Sequence, residues 1–415
     1  MRILQVVHGF PPHEWAGTEL ITCYLSQALQ THGHEVVVVA RVGDPEATDG
    51  AVREESYAGL KVFRVVNNYR RLFSFRLRYD NPFLNKPFLR LLEQVQPDVV
   101  HFQHTVHLSL SLIRLSAALG YPTILSLHDF FFVCHLTHLI DSQGKLCPGP
   151  DRGERCVTCL QVSASPEEVR RRFLLMEHVL KQPQLILTPS LFLAEKMQGY
   201  FPFLRARLRV VPLGVKQIAN TTPERRSGIA ALPLRVLYVG VLAPHKGAHL
   251  LIEAVKGLPP DTIAVSMYGL MSPDWQTYID RLQAAAKELP VRFYGAYTHD
   301  QLGAILARHD VVVMPMIWEE TFSLLTREAF LAGLPVIAAR RGALPEAVQD
   351  GVNGLLFEPE NATDLQRCLR RLITEPALLG QLHQADCQMR TLEEYAQEIE
   401  GIYEELSRSV SAAKK

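Results

Sequence analysis

The strongest constraint on this chain is an alternation of short Val/Ile/Leu runs with helical patterns, repeated from one end to the other. The first half carries such runs at residues 3–7, 35–40, 62–66, 99–102, 123–127, 185–188 and 208–211. The second half carries them at 235–239, 263–268, 291–294, 311–314 and 336–339. Most are continuous rather than alternating, the pattern of strands buried on both faces of a parallel sheet. Amphipathic stretches such as 250–255 and 300–307 supply the crossovers that parallel strands require. The expected fold class is therefore α/β. A chain of 415 residues exceeds what one core organises, so two Rossmann-like parallel-sheet domains are expected.

The boundary reads from composition. Residues 216–233 contain Asn220-Thr221-Thr222-Pro223, Ser227-Gly228 and Pro233, which is linker chemistry. Expected domains are 1–215 and 233–390, facing each other across a cleft, followed by a helical segment and tail at 391–415. Formal net charge is zero, from 43 basic and 43 acidic residues, which gives no electrostatic reason to expect a nucleic-acid partner. The first residues, Met1-Arg2-Ile3-Leu4-Gln5-Val6-Val7-His8, read as a strand and not as a signal peptide. No window approaches the ~18 apolar residues of a membrane span. Seven cysteines fit a reducing compartment better than a secreted disulfide framework. The expected location is cytoplasmic.

The segment from Pro315 to Gly333 is the most informative about chemistry. An apolar run at 310–314 reads as a buried strand, and a loop follows with Trp318, Glu319 and Glu320. A helix is expected from about Phe322 to Ala332, ended by Gly333. Open α/β sheets bind ligands at such strand-to-helix loops. The first amides of the helix suit an anion, which would be held by the N–H groups of Phe322, Ser323 and Leu324. Carboxylates beside an anion site are useful only when they grip hydroxyls. Taken alone, Glu320 and Glu328 are ordinary loop and helix acids. Leu324, Leu325, Ala329, Phe330, Leu331 and Ala332 leave the helix little polar face, which moves Glu328 toward a core or cleft.

Glu320, seven residues, Glu328, then A-x-x-x-G-x-P-V-I and G-x-x-P-E-x-V-x-D-G-x-N-G-L-L-F up to Phe357, resembles the C-terminal half of the retaining glycosyltransferases of family 4. The resemblance extends over nearly all of the chain, with weaker motifs in the first half. It implies the two-domain GT-B fold, a final helix crossing back to the first domain, and sugar transfer from a nucleotide-sugar donor. The implied acceptor is a glycan or lipid-linked saccharide. Glu328 would accept hydrogen bonds from ribose hydroxyls. Glu320 would lie near the donor sugar, as a hydroxyl acceptor or in a catalytic role. Lys246, in the stretch from Gly240 to Gly247, would sit at the diphosphate. The family pattern there is G-R-L-x-x-x-K-G, and Val241 stands in place of its arginine. In the first domain Ala16-Gly17 replaces the usual glycine pair, with Gly17 allowing close approach to the donor. His128, in Leu125-Ser126-Leu127-His128-Asp129, matches the family histidine that bonds the transferred sugar. Ser190 matches a common family feature, with no chemistry assigned. Front-face attack with retention is likewise what the resemblance implies. No D-x-D strand-end motif is present, so no catalytic metal or other cofactor is expected. Nucleotide-sugar 2-epimerases and non-catalytic sugar-binding relatives share the architecture and stay as alternatives.

Two further features stand apart. Cys134, Cys147, Cys156 and Cys159 lie in a Gly/Pro-rich stretch, with twelve, eight and two intervening residues. Four thiols there are a reasonable tetrahedral zinc set, with His135 and His138 as substitute ligands; free thiols or disulfides are the alternatives. Arginines cluster at Arg70-Arg71, Arg76 and Arg78, and at Arg170-Arg171-Arg172 beside Phe173-Leu174-Leu175. The second cluster reads as a basic amphipathic helix resting on anionic lipid, or equally as a solvated face.

Overall fold

A computed structural model of the chain describes residues 1–69, 75–159, 164–218, 232–384 and 387–413. The chain divides into two compact units, one of residues 1–214 with 390–415 and one of residues 215–389. Each is an α/β unit on a parallel sheet, with one antiparallel edge strand in the first.

The first unit opens with β1 (Arg2–Val7), α1 (Gly17–Thr31), β2 (Glu35–Val42), β3 (Val52–Tyr57) and β4 (Leu60–Val66). It continues with α2 (Asn85–Val95), β5 (Val99–Phe102), α3 (Leu110–Ala118), β6 (Thr123–Ser126), α4 (Pro166–Leu180), β7 (Leu185–Thr188), α5 (Leu191–Tyr200) and β8 (Leu208–Val210). The sheet order is β3-β4-β2-β1-β5-β6-β7-β8. β1, the innermost, pairs in parallel with β2 on one side and β5 on the other. Its residues Ile3, Leu4, Val6 and Val7 are fully buried, as a continuous apolar run predicts. β3 is antiparallel to β4 and is a strand the sequence pattern does not announce. Its residues Val-Arg-Glu-Glu-Ser-Tyr are largely exposed, because a charged edge strand has no core to face. Ala58 and Gly59, both at positive φ, close that hairpin.

The second unit contains β9 (Leu234–Val239), α6 (Ala248–Lys256), β10 (Ile263–Tyr268), α7 (Gln276–Ala286), β11 (Val291–Gly295), α8 (Leu302–Ala307) and β12 (Val311–Met314). α9 (Leu324–Leu331), β13 (Val336–Ala339), α10 (Leu344–Ala347), β14 (Gly354–Phe357), α11 (Ala362–Thr374) and α12 (Pro376–His383) follow. The order β11-β10-β9-β12-β13-β14 is parallel throughout. α9 starts at Leu324 and not at Phe322, because Ser323 takes a positive φ of 64° and caps the helix by accepting from Thr326 N.

The last helix, α13 (Leu392–Ala413), belongs to the first unit. Tyr395, Ala396, Ile399, Ile402 and Tyr403 are buried at the helix spacing. The Tyr403 hydroxyl reaches Gln5 Nε2 at 2.9 Å and His101 Nδ1 at 2.7 Å inside the core. Gly214 lies so close that an added Cβ would meet Thr391 O at 2.3 Å. On the outer side His32 bridges Glu393 (3.0 Å) and Glu400 (2.9 Å), and His34 meets Glu400 at 2.8 Å. Burial opposes the charge on His32, but the hydrogen bonds from Glu400 and Glu393 outweigh it and raise its pKa above 6.5. Burial likewise opposes the Glu400 charge, and the bonds from His34 and His32 outweigh it, lowering its pKa below 4.5.

The signs define a pH window. The His32 contribution is complete below pH 6.5 and is lost as pH rises through the raised folded value. The Glu400 contribution is present above pH 4.5 and is lost as pH falls through its lowered value. Amide exchange in α13, corrected for its intrinsic pH dependence, should therefore be slowest between these limits. It should quicken toward pH 8 by less than about tenfold, since solvent screens these pairs. Glu400→Gln should flatten that profile, and an unchanged profile would remove the clasp.

Candidate active site

In the second unit, neighbouring parallel strands bring two distant loops together. β9 and β12 pair side by side, so the loops that leave their carboxyl ends meet. Ile317 N donates to His245 O at 3.0 Å, and Trp318 N to the same oxygen at 3.3 Å. Gly247, at φ 72°, lets the loops close; a Cβ there would stand 1.7 Å from Pro315 O. Lys246 Nζ consequently reaches Glu320 Oε2 at 3.4 Å and lies 4.3 Å from the centroid of the Trp318 ring. Glu320 is buried, and its carbonyl accepts from Ala343 N at 2.7 Å. Gly342 makes that contact possible, since its added Cβ would fall 2.3 Å from Glu320 O.

The loop after β12 runs directly into α9. Phe322 and Ser323 are buried there, and Leu324 is the first helical residue. The first amides of α9 have no carbonyl one turn earlier to bond. Glu328 sits one turn into the helix, 8 % exposed, and its Oε1 is 2.8 Å from His299 Nε2. Tyr297 is close by: burial first, then the Glu328 charge, raise its phenol and keep it protonated. Arg327 folds back over the Phe322 ring, 3.4 Å from its centroid, and donates to the carbonyls of Phe322 and Ser323. Burial pushes its pKa down to about 10. Val241, at the position of the family arginine, is 39 % exposed.

In the first unit, Gly17 is exposed and begins α1, after the loop that leaves β1. His128 follows β6, and its Nε2 is 2.9 Å from Gln103 Oε1. Burial, then the neighbouring His104, lowers His128 to about 3, so it is neutral near pH 7. Next to it stands a group that sequence patterns did not single out. His8 Nε2 is 3.0 Å from Glu19 Oε1, and His104 Nε2 is 3.1 Å from Asp129 Oδ2. The His8 and His104 rings lie 4.6 Å apart. Burial opposes the charge on both carboxylates, but the histidine contacts outweigh it and lower their pKa values. Each of these residues, and His299 after β11, sits in a loop or helix start beyond the carboxyl end of a strand. That shared position is the signal by which they could have been found.

Other candidates resolve differently. Ser190 caps α5, accepting from Leu193 N at 3.1 Å. Arg170 and Arg171 are exposed but paired with Glu154 and Glu167, while Arg172 turns inward and donates to Phe131 O. The arginine run therefore does not present three cations on one face. Arg70 and Arg71 lie outside the described residues. Cys134 is in the first unit's core, with Cys147 and Cys156 packed against it, and Cys159 N bonds Cys156 O. No disulfide joins Cys134, Cys147, Cys156 or Cys159. Among the described residues no three His, Cys, Asp or Glu side chains stand in a metal-holding group. Among the described residues no helix is long and apolar enough to cross a membrane.

The family profile described as Glycosyl transferases group 1 matches residues 222–389, and that described as Glycosyltransferase Family 4 matches residues 15–217. A glycogen synthase of Mycobacterium tuberculosis is 26 % identical over 394 residues, covering 91 % of this chain and 87 % of its own. A D-inositol 3-phosphate glycosyltransferase of Corynebacterium jeikeium is 29 % identical over 262 residues, 58 % of this chain and 62 % of its own. Among solved structures, sucrose-phosphate synthase from Thermosynechococcus elongatus superposes with a TM-score of 0.72 at 18 % identity, covering 98 % and 99 % of the two chains. The two profiles, which between them span residues 15–217 and 222–389, show that this chain belongs to the two-domain, GT-B glycosyltransferases of family 4.

Proposed function

We propose that the protein is a retaining glycosyltransferase that moves a sugar from a nucleotide-sugar donor, carrying UDP or GDP, to a glycan or lipid-linked saccharide in polysaccharide or glycoconjugate synthesis. The observation that carries this reading is the convergence, within the second unit, of the Lys246–Glu320 pair, the start of α9 and the buried Glu328. A nucleoside diphosphate sugar has three recognisable parts, and this arrangement has a complement for each. Glu328 accepts from the ribose hydroxyls in exchange for its bond to His299. The amides of Phe322, Ser323 and Leu324, with Lys246, face the diphosphate. Glu320 accepts from hydroxyls of the sugar. Positive potential fixed in place before reaction stabilises the leaving diphosphate as charge develops on it, so the proposal needs no metal. On the first unit, neutral His128 donates or accepts a hydrogen bond at the transferring sugar, and Gly17 leaves room for the donor beside α1. The protein works in the cytoplasm, where nucleotide sugars are made.

A panel of nucleotide sugars read by thermal shift tests the reading. A ligand at ~100 times its dissociation constant adds about 2.7 kcal/mol of stability. Transfer or donor hydrolysis supports the proposal, epimer formation points to an epimerase, and binding without turnover to a sugar-binding relative.

Glu328→Ala should weaken nucleotide-sugar binding by roughly 1.5–3 kcal/mol per lost hydroxyl bond, with melting temperature little changed. Calorimetric titration decides it, and unchanged affinity would remove the ribose assignment. Lys246→Ala should weaken nucleoside diphosphate binding by tenfold or more and nucleoside binding little, since removing a cation costs mainly the charged ligand. Equal losses would count against a phosphate contact. Val241→Arg should be accommodated at its exposed position and tighten the diphosphate. His128→Ala should lower turnover about a hundredfold while leaving donor affinity nearly intact, because a bond formed as charge develops acts on the transition state. A change confined to the Michaelis constant would make His128 a ground-state contact.

A further inference from the structure

Among the described residues five buried side-chain polar atoms lack a hydrogen-bond partner, and three belong to loops and a helix start at one edge of the first unit's sheet: His8 Nδ1, Glu19 Oε2 and Thr105 Oγ1. Buried polar groups in native proteins are nearly always paired, so three along one edge mark a position that something else completes. His8 follows β1 and Thr105 follows β5, strands that are neighbours in the sheet, while Glu19 is in the first turn of α1. This is the carboxyl edge of the sheet, where open α/β folds hold their ligands.

We propose that this recess is the seat of the acceptor, and that it takes a neutral, polyhydroxylated sugar through its hydroxyl groups in preference to a phosphorylated one. The inference rests on the transferase reading above and names the acceptor class for it. The unmade bonds set the ligand's chemistry. Glu19 is 3 % exposed, and its Oε1 already faces His8 Nε2 at 3.0 Å. Glu19 Oε2 accepts, His8 Nδ1 donates or accepts according to the proton it carries, and Thr105 serves either way. Sugar O–H groups, which both donate and accept, complement all three. A phosphate dianion brings none, and it would stand near several carboxylates. Asp129 belongs to the same cluster through His104, and a Cβ placed on Gly9 would lie 3.0 Å from both Glu14 Cβ and Glu19 Oε1. The nearby bases are already engaged. His104 pairs with Asp129, and Arg41 bonds Asn67 O and lies 3.9 Å from Glu14. The Tyr69 hydroxyl contacts His107 Nδ1, and burial lowers His107 to about 4, so it adds no charge.

The test uses the full-length protein and saturation-transfer NMR with methyl α-glucoside, methyl α-mannoside and myo-inositol, each against its monophosphate ester. At least one neutral probe should bind, and its ester should bind about tenfold more weakly or worse. Glu19→Gln and Thr105→Val should each weaken the neutral probe by roughly tenfold, the loss expected for one such bond. Thr105→Val keeps the shape of the side chain and guards against misreading an unfolded Glu19 variant. Nucleotide binding, followed by calorimetry in the same samples, should stay within twofold in both. An ester that binds better than its parent overturns the proposal, as does a neutral probe held equally by wild type and both variants, or the failure of every neutral probe to bind. If the wild type binds neutral sugars here but no nucleotide sugar, the transferase reading fails and the recess stands as a sugar site.

Discussion

Parallel hydrogen bonding between strands is the constraint on which the remaining structure depends. A parallel neighbour has to be reached by a crossover, so every strand of a sheet delivers its outgoing loop to the same edge. The sheet of the second unit does this along its whole width. Pairing of β9 with β12 puts Lys246 beside Glu320, although 74 residues separate them along the chain. Gly247 and Gly342 are the local conditions for that meeting, because each lies against backbone that no Cβ could approach. The site is thus a consequence of strand order, trimmed by two glycines.

A second regularity is that the buried or half-buried acids described at these edges face bases. Glu320 faces Lys246, Glu328 faces His299, Glu19 faces His8 and Asp129 faces His104. An isolated carboxylate in such surroundings would be costly, and a hydrogen-bonded partner offsets much of that cost. The partners differ in kind, and the difference matters. Lys246 can turn toward an incoming phosphate without losing its charge. Histidine gives a carboxylate a bond it can exchange for a hydroxyl.

The fold was legible because long apolar runs have few places to go. The runs at 3–7, 99–102 and 311–314 became β1, β5 and β12, all buried on both faces. β3 was not legible, since an exposed Val-Arg-Glu-Glu-Ser-Tyr edge has the composition of a loop. The start of α9 was misplaced by two residues because the left-handed backbone of Ser323 is invisible in its side chain. The segment from Glu320 to Glu328 stood out through its spacing, and it does lie at a strand-to-helix junction. Its partner His299 did not stand out, because a lone histidine after a short strand carries no local mark.

The histidine–carboxylate group of the first unit shows the division most clearly. Its members come from loops after β1, β5 and β6 and from the first turn of α1, and no two of the pairs are close in sequence. By itself the sequence determined most of the buried strands and crossover helices, how many sheets would form, and which loops carried ligand-binding residue types. Those properties follow from local periodicity and hydrophobic burial, which are written residue by residue. Only the tertiary structure decided which loops would meet and which buried atoms would be left without partners. Such outcomes depend on strand order and on contacts at ångström range between residues far apart in the chain, and local pattern does not encode them.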